Sequence, residues 1–204
     1  MTEIYIVRHG NTFDKGDIVT RVGARTDLAL STSGEMQAAQ LAIHLQQAVP
    51  GGFGKAYCSP LIRTRQSAEA ILGVAQDAPD LETLEFLREI DYGPDENQAE
   101  DKVIERLGEA ALTAWDEAAV PPPGWVIDPT QLKQDWAALI LKLAVDQSAK
   151  PVLIVTSNGI ARYVLDAVTA YEETPDSIKL KTGAYGVLDA TPDAVTLRRW
   201  NVRP

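Results

Sequence analysis

The sequence predicts an α/β fold with a mostly parallel sheet. Short runs rich in β-branched and aromatic residues alternate with longer stretches of helical apolar spacing. VLIVTSNGIARYVL, residues 152–165, reads as a buried strand entering a tight polar turn and then a helix. In such sheets, ligands bind beyond the carboxyl ends of the strands, at junctions of this kind.

Each element has a local reason. EIYIVR (3–8) is a β-branched and aromatic run, hence a strand. Asn11 to Ala29 is polar and broken by Gly16 and Gly23, so it is mostly loop. Ser31 suits an N-cap, and EMQAAQLAIHLQQAV carries helical apolar spacing up to Pro50. KAYCSP (55–60) ends a second strand, and a helix follows from Leu61 to about Ala75. Glu82 to Ile90 holds a third short strand or an extended run, ending at the polar turn DYGPDEN.

Residues 99–119 are helical in pattern, with Val103, Ile104, Leu107, Ala111, Leu112 and Trp115 on roughly one face. PPPGW (121–125) is a stiff break before a helix from Pro129 to Asp146. The strand 152–156 leads into a helix from about Asn158, and GAYGVLDAT with AVTLRRWNV closes the chain as a hairpin. The expected organisation is one domain over 1–204, with a lid-like insertion at about 92–130. Trp115, Trp125 and Trp136 are expected in core and lid packing.

Composition narrows the function. With 204 residues, 45 % hydrophobic and 24 % charged, the chain can bury a real core. No apolar run is long enough to span a bilayer, and MTEIYIVRHG lacks the pattern of a secretory signal, so no membrane partner and a cytoplasmic location are expected. Cys58 is the one cysteine, which excludes a disulfide framework and a CxxC motif; it is expected as a small buried hydrophobe. No His, Cys or carboxylate cluster stands at ligand spacing, so neither a metal nor another cofactor is expected. The net charge of −10 argues against nucleic acid. A small anion is a different matter: the Debye length is about 8 Å, so a local group of arginines outweighs distant carboxylates.

Strand ends select the chemistry. Arg8, His9 and Gly10 leave the first strand, Ser59 and Arg63 the second, Glu89 the third and Ser157 the fourth. A histidine with two arginines and a carboxyl group suits a phosphoryl group. Imidazole can attack phosphorus, guanidinium groups bind its oxygens bidentately, and a carboxyl group can protonate the departing alkoxide. Glu85 and Asp91 flank Glu89, and Arg65 competes with Arg63.

Four blocks resemble one family. IYIVRHGNT is similar to the R-H-G-x-T signature of the histidine phosphatase superfamily, the phosphoglycerate-mutase-like proteins. GARTDLALSTSGEMQAAQLA, CSPLIRTRQSAEAI and LREIDYG resemble its following blocks, in family order. The resemblance implies a three-layer α/β/α fold and a small phosphorylated substrate, or phosphate itself, as partner. It implies His9 as phosphorylated nucleophile, Arg8 and Arg63 as phosphate clamps, Glu89 as proton donor and Asn11 as a phosphate contact. Mutases of the family resemble longer chains with a C-terminal tail; this one stops at RRWNVRP, so a phosphomonoesterase is the stronger expectation.

One block departs from the pattern. The family's V-S-H-G-G-x-I-R, aligned on Gly159 and Arg162, puts Ser157 where the second imidazole belongs. His44 is the only other histidine, and it lies in the helix after Ser31, far from any motif. Ser157 is either a phosphate contact, with Asn158 and the following helix N-terminus, or a turn and capping residue. Without the imidazole, transition-state stabilisation weakens unless another cation such as Arg21 or Arg25 moves in. The alternative expectation is therefore a catalytically impaired protein that binds phosphorylated ligands and regulates by occupancy. A serine-hydrolase reading of V-T-S-N-G fails, since it lacks the first elbow glycine and a histidine to serve as base.

Overall fold

A computed structural model describes residues 1–146 and 149–204. Among these residues one sheet is ordered β3-β2-β4-β1-β6-β7-β5. Its strands are β1 (Thr2–Arg8), β2 (Lys55–Cys58), β3 (Leu81–Thr83), β4 (Val152–Thr156), β5 (Ala170–Tyr171), β6 (Tyr185–Ala190) and β7 (Val195–Val202). β1 and β2 pair parallel with β4, β2 with β3, and β5 with β7. β6 alone is antiparallel, running against both β1 and β7, so the sheet is mostly parallel. Every residue of β4 is buried, as a central parallel strand covered on both faces requires.

The strands alternate their side chains between two cores. Ile4, Ile6, Val152 and Ile154 face one side, where Trp136, Leu139 and Ile140 of α5 (Pro129–Asp146) cover them. Tyr5, Val7, Leu153 and Val155 face the other, packed by Leu41 and Leu45 of α1 (Thr32–Ala48) and Ile71 of α2 (Ile62–Leu72). The three-layer expectation is met. The Ser31 hydroxyl accepts from Gly34 N–H and caps α1. Among the described residues, no helix is long and apolar enough to cross a membrane.

Two expected elements differ. The stretch 99–119 is two helices, α3 (Glu100–Leu107) and α4 (Glu109–Ala118), because Gly108 takes φ 76° and turns the chain between them. Each half then buries its own residue, Val103 and Trp115. The run 82–90 is strand only as far as Thr83. Beyond it a 3-10 turn, Glu85–Leu87, is held by the Thr156 hydroxyl donating to Leu87 O at 2.7 Å. That bond brings the chain back to the end of β4, and Glu89 with it. The three tryptophans are buried as expected.

Candidate active site

β1 ends at Arg8, and the backbone N–H of His9 donates to Thr156 O at 3.2 Å, which sets the imidazole beside the end of β4. Its Nδ1 lies 2.7 Å from Gly10 O, and a carbonyl can only accept, so Nδ1 carries the proton. Nε2 keeps its lone pair and accepts from Arg63 Nε at 3.2 Å. Burial, then Arg63 and Arg8, push the His9 pKa well below its ordinary 6.5. The ring is neutral at pH 7, as a nitrogen nucleophile must be.

That depressed pKa predicts a pH effect on stability. Below pH 6.5 the unfolded chain protonates His9 while the folded chain does not. This contribution is therefore present above the unfolded pKa and is lost as pH falls toward the folded one. The slope approaches about 1.4 kcal/mol per pH unit. Denaturation midpoints from pH 7 to 5 should fall faster for the wild type than for His9→Ala; parallel lines would contradict the assignment.

Glu89 is buried, 6 % exposed, and its Oε1 and Oε2 accept from Ile90 N–H at 3.0 Å and Gly159 N–H at 3.2 Å. Gly159 is required there, since a Cβ would lie 2.2 Å from Oε1. Burial pushes the pKa values of Arg8, Arg63 and Arg162 down, and Glu89 is the foremost charge opposing that for each. One buried carboxylate thus stands among three guanidinium groups. Arg8 donates through Nη1 to Leu180 O at 2.9 Å, while its Nε is buried with no hydrogen-bond partner among the described residues.

Arg8, His9, Asn11, Glu89 and Asn158 line one cavity of about 460 Å³. Asn11 donates through Nδ2 to Ser33 Oγ, and the Asn158 Oδ1 accepts from Leu180 N–H. Arg63 and Ser157 do not reach the cavity wall; both are 0 % exposed. Arg63 stands behind His9, also donating to Thr26 O and Gly23 O. Ser157 heads the short α6 (Asn158–Ala161), yet its hydroxyl neither caps that helix nor finds a hydrogen-bond partner among the described residues. Arg21 lines the cavity, whereas Arg25 is held by Asp91 and Gly93 away from it. His44 pairs with the Tyr185 hydroxyl at 2.8 Å, remote from the site. Among the described residues, no three His, Cys, Asp or Glu side chains converge as metal ligands.

Sequence reasoning used Arg162 only to fix an alignment. It is buried, its guanidinium lies 4.1 Å over the Trp115 ring, and Nη1 donates to Trp115 O at the end of α4. α4 is thereby fastened to the corner after β4. Tyr92, in the DYG turn, also lines the cavity. Its phenol is pushed up by burial and then by Glu89, so it stays a neutral donor.

A neutral imidazole whose Nε2 lone pair is held by a single Arg63 N–H, beside guanidinium groups and a buried carboxylate, has the chemistry to receive a phosphoryl group once that bond is given up. The chain belongs to the histidine phosphatase superfamily (branch 1), which it matches over residues 4–203. No curated protein matches it in sequence. Its fold is similar to mycobacterial glucosyl-3-phosphoglycerate phosphatase in complex with VO3, at TM-score 0.80 and 18 % identity over 99 % of this chain and 100 % of that one. It is also similar to phosphoserine phosphatase from Entamoeba histolytica in complex with 3-phosphoglyceric acid, at 0.73 and 21 %, covering 99 % and 98 %. A third likeness is to the alpha-ribazole phosphatase from Shigella flexneri, at 0.72 and 21 %, covering 99 % and 97 %. At such identities the likeness is one of fold.

Proposed function

We propose that this chain is a phosphomonoester hydrolase working through a phosphohistidine at His9, without a metal. The observation that carries the reading is the His9 ring, whose Nδ1 proton is committed to Gly10 O, leaving Nε2 as the nucleophile. Glu89, a carboxylate in the free site, takes up a proton as the phosphate dianion of the substrate binds. The lone pair of Nε2 then forms a bond to phosphorus as the ester P–O bond breaks, and the departing oxygen takes that proton from Glu89. Water then attacks the phosphohistidine and gives its proton back to the Glu89 carboxylate. The N–P bond breaks, its electrons return to Nε2, and phosphate leaves. Arg8 holds the phosphoryl oxygens, with Asn11 and Asn158 as further polar contacts. Arg63 polarises and positions His9 and swings its Nε bond to a phosphoryl oxygen once Nε2 is phosphorylated. Segment 92–130 acts as a lid, fastened through Arg162 and Trp115. The similarity to phosphatases of small phosphorylated molecules supports the class of reaction. The direct test is an acid-labile phosphoenzyme, seen by intact mass after exposure to a reactive phosphate donor.

A second reading, a protein that holds phosphate without efficient turnover, is favoured by Ser157, which the motif alignment puts in the imidazole position and which is fully buried off the cavity wall. Ser157→His separates the two. A preorganised donor at a site of developing charge is worth about 2.7–4 kcal/mol, though a graft without its supporting contacts recovers only part. We expect kcat to rise by roughly tenfold or more with KM little changed, since the added bond strengthens as charge builds on the phosphoryl oxygens. If turnover is unmoved and no phosphoenzyme ever forms, the binding reading prevails.

A further inference from the structure

The cavity walls carry most of their charge in pairs. Arg21 donates through Nη2 to Glu100, and Lys179 through Nζ to Asp116 at 2.8 Å, and all four line the cavity. Among the described residues, Arg8 is the lining Arg or Lys with no carboxylate in ion-pairing range. A phosphoryl dianion takes Arg8. Beyond it, the Arg21–Glu100 and Lys179–Asp116 walls have no net charge to offer. A second anionic group on the substrate would have to displace Asp116 from Lys179 or Glu100 from Arg21, or else lose water without gaining a cation. A neutral group bearing hydroxyls meets carboxylate oxygens that accept from it and the Asn158 amide. Leu112, Phe13 and Val19 supply apolar surface for its C–H faces. A cavity of about 460 Å³ is of the size that binds such ligands.

We propose that the preferred substrate is a sugar or polyol phosphate with an uncharged leaving group, and that Asp116 and Glu100 set this preference by neutralising Lys179 and Arg21. This rests on the phosphatase reading and narrows it. The Lys179–Asp116 pair is only about half buried, at 44 % and 41 % side-chain exposure, so the discrimination is about tenfold rather than several thousandfold.

The test uses matched substrates that differ in one carboxylate: glycerol 3-phosphate against 3-phosphoglycerate, and sorbitol 6-phosphate against 6-phosphogluconate. The wild type should favour the neutral member of each pair by about tenfold in kcat/KM. Asp116→Asn keeps the side-chain shape but leaves the Lys179 charge unopposed. It should lower that ratio by about fivefold by raising the acid's kcat/KM, whereas mere loosening of the cavity would lower both members. Equal or reversed preference in the wild type, or a ratio unmoved by both Asp116→Asn and Glu100→Gln, overturns the proposal. Calorimetric affinities of the same four compounds for His9→Ala protein read the preference without turnover. Absent hydrolysis of p-nitrophenyl phosphate by the wild type would therefore count against the phosphatase reading alone, while the affinities still decide this one.

Discussion

His9→Ala should lower phosphatase kcat/KM by at least about 10³-fold and abolish the phosphoenzyme. Removing a nucleophile elsewhere has cost on the order of 10⁶ in kcat, and nothing near His9 replaces it. The Tyr92 phenol is pushed up by burial and the neighbouring Glu89. Cys58 points into the α1–α2 core, where burial pushes its thiol up to about 11. Ser157 is buried with no base at its hydroxyl. Phosphate affinity should survive, because Arg8 and Asn158 remain on the wall and Arg63 Nε is released from Nε2. The informative pair of measurements is turnover of p-nitrophenyl phosphate with intact mass, and phosphate affinity by calorimetry. A variant keeping a tenth of the activity would remove His9 from the mechanism; one that loses activity and phosphate affinity together would make it a structural residue.

What was legible in the sequence was local. β1, the Ser31 cap, α5, β4 and the closing β6–β7 hairpin follow from periodicity and caps within one element, and each stands close to where spacing put it. The break at Gly108 and the two-residue β5 were not legible. A single glycine in a helical pattern is tolerated as often as it bends the chain, and β5 exists only through its pairing with β7. The site divides the same way. Arg8, His9 and Asn158 stand at strand ends and reach the cavity by that placement. Glu89 lies six residues beyond β3 and arrives through the Thr156–Leu87 bond and the close approach of Gly159. Motif matching gave Arg63 as a phosphate clamp and left Ser157 as either a phosphate contact or a turn residue; motifs carry no depth, and only the fold shows that both side chains are fully buried. Lys179 and Asp116 are 63 residues apart and belong to no shared pattern, so only the folded chain brings them together.

Glu89→Gln should separate the two halves of the reaction by their demand for a proton. With an alkyl phosphate the departing alkoxide needs one, and losing the donor should lower kcat by about 10²–10⁴. With p-nitrophenyl phosphate the phenolate leaves unaided, so capture by His9 should stay fast. The second half still needs a base to take the proton from water, and the amide that replaces the carboxylate offers none. The variant should therefore release a burst of nitrophenolate close to one per site, then turn over slowly with phosphohistidine accumulated. The substitution also disturbs the ground state. Both Glu89 oxygens accept N–H bonds, from Ile90 and Gly159, and an amide satisfies only one. The other N–H would face an NH₂ group, at a cost of about 1–3 kcal/mol. Arg8, Arg63 and Arg162 would lose the carboxylate that offsets their burial. A lower denaturation midpoint is thus expected alongside the kinetic change, but lost stability cannot produce a burst or spare one leaving group. If both substrates slow equally and no phosphoenzyme accumulates, Glu89 acts by holding the three arginines in place, and the proton must come from elsewhere in the cavity.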